Sequence, residues 1–173
     1  MPDTKRNMLC HFLAAVAYRT QKALRDARSD FGSFNAGSEV RTPLELVRHM
    51  TSVLGYARTF FIGGKYRPEP LPDLDAEVER FHAMLEDLAA NISSGGKLLG
   101  GMTPERLLQG PLADAMTHAG QLAMLRRLVG DAVPPENFIL AEIDANRLGK
   151  NQAEPISPDE IWLEDPKAGQ HVS

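Results

Sequence analysis

Leu122, Leu125 and Val129 recur at three- and four-residue spacing and mark one apolar face of a helical stretch within Leu112–Val129. Stepping back along that face by four residues at a time reaches His118 and then Asp114. An imidazole and a carboxylate, one turn apart, thus continue a stripe directed at the core. Burying such groups without partners costs on the order of a few kcal/mol each, and more for a bare carboxylate. A divalent ion is one way to satisfy them, since imidazole nitrogen and carboxylate oxygen on adjacent turns can share a coordination shell. A second helical segment offers a third donor, His49, which lies between Leu46 and Val53 at helical spacing. Two donors from one helix and one from another leave a coordination position open, as in reactive rather than purely structural sites. The other way is a buried hydrogen-bonded cluster without an ion. If the last helix begins at Pro111, the dipole alone favours a carboxylate at Asp114. Gln121 suits either reading, bracing a ligand imidazole from outside the coordination shell or bonding to a neighbouring helix.

The remaining reactive side chains carry less. No separate general base stands in a convincing place. His82, beside Phe81 and Leu85 in an acidic segment, reads as a surface or boundary residue. Cys10 and His11 are adjacent on a helix and point roughly 100° apart, so they cannot form a nucleophilic pair. Tyr18 and Tyr56 fit core packing with partly wet hydroxyls, and His171 falls in the tail.

The elements that must position these groups are helical. Apolar residues from Leu9 to Ala27 repeat at spacings of three and four, giving a first helix over about 7–28. Ser29–Arg41 is a loop rich in Ser, Gly and Asn. Thr42-Pro43-Leu44-Glu45 combines a capping threonine, a proline suited to the first helical position and a carboxylate that can reach back. The second helix then runs to Phe61, and Gly63-Gly64 stops it. After the stiff Pro68–Pro72 connector, Asp73 or Asp75 opens a third helix ending near Asn91. The last starts at Thr103 or Pro111 and ends at Gly130, with Pro111 either kinking it or dividing it. Beyond Val133 repeated prolines break up the chain. Phe138–Ile143 is an apolar patch suited to packing back on the helices, and Trp162 is a possible anchor further on. The expected organisation is an all-α antiparallel four-helix bundle over 1–146, followed by an irregular C-terminal extension over 147–173 that packs on the bundle or is partly disordered.

The run His118-Ala119-Gly120-Gln121-Leu122, then Leu125-Arg126-Arg127-Leu128-Val129-Gly130, resembles the last bundle helix of the DinB-like (damage-inducible, YfiT-like) family, which shows His-x-x-x-His-x-Gly-Gln and an Arg-x-x-Gly ending. Val133–Phe138 is similar to the family's exit from that helix, and Thr42–Phe61 to the helix supplying its first ligand. The resemblance spans most of Asn7–Asn146. It implies a four-helix bundle, often a homodimer, that holds nickel, zinc or another divalent ion through three histidines. His49 matches the first of these and His118 the last, while Asp114 stands at the middle position. A harder, anionic ligand there shifts preference toward manganese, iron or magnesium. The resemblance further implies a metal-dependent transferase, isomerase or hydrolase acting on a small molecule, in some relatives a low-molecular-weight thiol. The alternative is a non-catalytic dimeric metal-binding or stress-related scaffold.

Composition narrows the field. The 173 residues are 43% hydrophobic and 24% charged, with a net charge of −4, the balance of one ordinary globular domain. Lysine and arginine are dispersed, which argues against nucleic acid and anionic membranes as partners. No run approaches the roughly 18–20 apolar residues of a membrane span, and the N-terminus lacks signal-peptide architecture. Cys10, the single cysteine, has no partner for an intrachain disulfide. The chain therefore reads as cytoplasmic.

Overall fold

The computed structural model describes residues 1 and 3–155 and is all-helical, with no strand among the described residues. Its elements are α1 (Asp3–Leu24), α2 (Pro43–Ile62), α3 (Leu74–Ser93), the single turn α4 (Pro104–Leu107) and α5 (Ala113–Leu128). The four long helices close a ring: α1 packs on α5 and α3, and α2 packs on the same two. Leu13 and Val16 of α1, Met50 and Leu54 of α2, Phe81 and Leu85 of α3, and Leu122 of α5 are fully buried in the shared core. No helix of the described residues is long and apolar enough to cross a membrane. Trp162 and His171 lie outside the described residues.

Local chemistry fixes where α2 and α3 begin. The Thr42 hydroxyl accepts from the Glu45 N–H, and the Glu45 carboxylate accepts from the Thr42 N–H at 2.8 Å, the reciprocal capping box expected from these residue types. Such a cap contributes about 1 kcal/mol, and it sets the register that carries His49. Asp73, not Asp75, caps α3 by accepting from the Ala76 N–H at 2.8 Å.

Both ends of α1 differ from expectation. α1 starts at Asp3, where an ion pair from Asp3 to Arg6 supports the first turn. It stops at Leu24, short of Arg28, because the backbone turns to positive φ at Asp26 (φ 52°). The Arg126 guanidinium, 4% exposed, donates to the carbonyls of Ala23 (3.1 Å) and Arg25 (2.9 Å). It thus satisfies acceptors that the helix end leaves open. Pro111 leaves a kink or a division open in the sequence. Lacking an N–H, it cannot continue an α-helical ladder, and the chain passes through a wide π turn over Leu108–Leu112, with non-helical angles at Gly110 (φ −96°, ψ −105°). The segment is therefore divided into α4 and α5. Gly130, at φ 81°, ends the last helix in the left-handed conformation glycine adopts without steric cost.

The chain after α5 lies against the helices through residue 155. Phe138 packs edge-on to Tyr18 and Ile143 against the core, whereas Ile139 and Leu140 are exposed. Leu148 is buried, and Arg25 donates to the carbonyls of Gln152 and Ala153 and pairs with Glu154 at 2.6 Å.

Candidate metal centre

His49, Asp114 and His118 come together where α2 faces the start of α5. Each offers one ligand atom such that all three lie within 4.8 Å of one another. His118 Nε2 is 3.3 Å from Asp114 Oδ1 and His49 Nε2 is 3.7 Å from Asp114 Oδ2. The two imidazoles meet edge to face, with ring centroids 4.8 Å apart. Two donors about 2.1 Å from one tetrahedral ion are themselves roughly 3.4 Å apart, so the two His–Asp spacings suit a shared ion, while the widest separation of the set, up to 4.8 Å, has to close by side-chain rotation. The His118 side chain is 9% exposed, that of His49 31% and that of Asp114 46%, leaving the site open on the carboxylate side.

Electrostatics favour the same reading. His118 Nδ1 lies 2.7 Å from Gln121 Oε1. With that oxygen as acceptor, Nδ1 carries the proton and neutral Nε2 presents its lone pair. That lone pair faces an anionic carboxylate oxygen across 3.3 Å. In this tautomer the two electron-rich atoms need a positive centre between them, which a metal ion supplies; in the other, Nε2–H donates to Asp114 and the Gln121 amide N–H donates to Nδ1. Burial lowers the His49 pKa from its ordinary value, as do the charges of Arg41 and His118, against the opposing pull of Asp114. His49 is therefore neutral near pH 7, the form that ligates a metal. The donor set fits a divalent ion of borderline hardness.

Asp114 also lines an open cleft of about 720 Å³, together with Ser52, Tyr56, Gln109 and Thr117. Tyr56, expected in the core, is 56% exposed, so its hydroxyl is available to a molecule in that cleft. Tyr18 is buried and donates to Glu136 at 2.5 Å. Its pKa is raised by burial and by that carboxylate.

His82 differs from the surface or boundary position expected of it: it is 3% exposed. Its Nδ1 is 2.6 Å from the Leu148 carbonyl, with Gln21 Oε1 3.4 Å from Nε2. A segment remote in sequence covers it, and periodicity within α3 carries no trace of that cover. Burial lowers its pKa below the ordinary 6.5, only partly offset by the bond to Leu148. The folded state then binds this proton less readily than the unfolded state, so stability is full above pH 6.5 and falls as pH drops toward the folded pKa. His82→Gln, which retains a donor, is expected to reduce the loss of urea midpoint between pH 7.5 and 5.5. An equal loss in both proteins would rule His82 out as a cause.

Glu77 also escaped sequence reasoning, being one acid among several at the start of α3. Its carboxylate has no solvent exposure and accepts from Arg48 Nε at 2.7 Å, the Leu71 N–H at 2.9 Å and Arg80 at 2.5 Å. Burial would raise its pKa, but these donors outweigh it and hold the carboxyl below its usual range. Arg48 precedes His49, so this cluster ties the turn of α2 that carries His49 to α3. The chain matches no protein-family model, no curated protein and no solved structure.

Proposed function

We propose that the protein is an antiparallel four-helix bundle of the DinB-like type that binds one divalent metal through His49, Asp114 and His118, and acts as a metal-dependent transferase or hydrolase on a small molecule. The observation that carries the metal reading is the convergence of His118 Nε2, 3.3 Å from the Asp114 carboxylate, with His49 on the third side. The sequence resemblance supports the family and the reaction class. A divalent ion in this position would supply Lewis-acid chemistry, polarising a carbonyl or stabilising a thiolate. The chain's own groups do the rest: the half-exposed Asp114 leaves an approach from the cleft, where Ser52, Tyr56 and Thr117 offer hydroxyls to orient a polar substrate.

A second reading keeps the same side chains without turnover, as a hydrogen-bonded cluster of His49, Asp114 and His118 in a dimeric scaffold. Elemental analysis of the purified protein separates the two. The metal reading expects nickel, zinc, iron or manganese at close to one equivalent per chain, absent from His118→Ala. Metal-free protein that fails to take up any of these ions on titration would overturn it.

A further inference from the structure

A cavity of about 360 Å³ lies between α1, α5 and the segment 133–138, on the side of α5 that carries Ala119, Ala123 and Met124 rather than the side that carries His118. That volume falls at the lower end of small-molecule sites, roughly 300–1,000 Å³. Its floor is apolar, and Arg19 and Lys22 of α1 line it with Glu136, the one acid among the described lining residues, in a chain whose net charge is −4.

The two α1 cations differ. Lys22 is engaged, its ammonium 2.8 Å from Glu136 Oε2 with 10% of the side chain exposed. The other Glu136 oxygen accepts from Tyr18 at 2.5 Å, whereas Oε2 makes no hydrogen bond and is held only by its charge contact with Lys22. Arg19 stacks its guanidinium on the Phe138 ring, 3.7 Å from the centroid. Stacking uses the face of the group and leaves its five N–H donors, which lie in the plane, unoccupied. Among the described residues the nearest anionic influence on it is the Glu136 carboxylate, which acts on its charge without a hydrogen bond. A half-buried guanidinium fixed by an aromatic ring, with free edge donors at the mouth of an apolar cavity, has the geometry for a forked bond to a carboxylate.

We infer that this cavity binds a small amphipathic carboxylate, whose anionic head pairs with Arg19 and whose apolar body lies on Ala119, Ala123 and Met124. The site is separate from the metal centre and does not depend on it. Octanoate serves as the probe, with octan-1-ol, octylamine and acetate as controls, added to full-length protein both metal-loaded and metal-stripped. Calorimetry and amide chemical shifts of Ala119, Ala123 and Met124 give the readout. Octanoate is expected to bind saturably at one per chain in both forms, with octan-1-ol and acetate each weaker by about tenfold or more and octylamine not binding. Arg19→Gln should weaken octanoate by about 10–100-fold while the protein stays folded, with only the small fall in thermal midpoint that loss of the Phe138 stack brings. His118→Ala should leave octanoate affinity intact. Should Arg19→Gln be too unstable to compare, Ala123→Phe, which fills the space for the apolar body, should abolish binding by itself. No saturable octanoate binding below about 1 mM, equal affinity for octan-1-ol, full affinity in Arg19→Gln, or loss of binding in His118→Ala would each overturn the inference.

Discussion

Glu77→Gln is expected to destabilise the protein by about 3 kcal/mol, the lower end of what breaking a buried ion pair costs. The lower end applies because Arg48 and Arg80, left without their anion, keep 28% and 19% of their side chains in contact with solvent. The neutral amide still accepts one or two of the three hydrogen bonds, but it cannot balance two guanidinium charges. For a chain of this size that loss corresponds to a fall in Tm of roughly 6–12 °C. Glu79→Gln is the control: its carboxylate pairs with Lys150 at the surface, and the change should stay within about 0.5 kcal/mol. The pH dependence has a definite sign. The folded-state pKa of Glu77 lies below the ordinary 4.5, so its stabilisation is present above pH 4.5 and disappears as pH falls through the folded value. Wild type and Glu77→Gln should therefore converge in stability in acid. Curves that remain parallel from pH 7 to pH 3 would show that the charge is not what the cluster uses.

Removing the Gln121 side chain is expected to weaken metal binding by about 10–100-fold, the usual effect of losing a hydrogen bond that orients a ligand imidazole. Gln121 Oε1 lies 2.7 Å from His118 Nδ1, and as an acceptor there it directs the Nε2 lone pair toward Asp114 for ligation. Gln121→Glu retains an acceptor at the same reach and should bind close to wild-type level. Gln121→Ala should be weak and His118→Ala weaker still. Competition of zinc and nickel with a chromophoric chelator gives these constants directly. If Gln121→Ala bound as tightly as wild type, the glutamine would be no more than an interhelical hydrogen-bond partner. If His118→Ala did so, the centre itself would be lost.

The parts of this molecule that depend on neighbours close in sequence were readable from the chain. Thr42 and Glu45 announce the start of α2 because a capping box needs only those four residues. The four-residue step from Asp114 to His118 puts both on one face for the same reason. Features made by distant segments were not readable. The end of α1 depends on Arg126, a hundred residues later, and His82 is buried because Leu148 returns to cover it. Glu77 looked like any helix-start acid until α2 supplied Arg48. Pro111 announced an interruption, but whether a proline bends or breaks a helix depends on what packs against the interrupted turn, and no local pattern encodes that.

The π turn at Leu108–Leu112 also acts as an angular spacer. Every α-helical residue advances the bearing of the next by about 100°, so the number of residues in that turn sets the compass heading of all of α5. Shortening it by one residue, with α4 held in place, would rotate Asp114 and His118 away from α2 without altering a single donor atom. The constraint on this stretch is therefore one of length more than of composition.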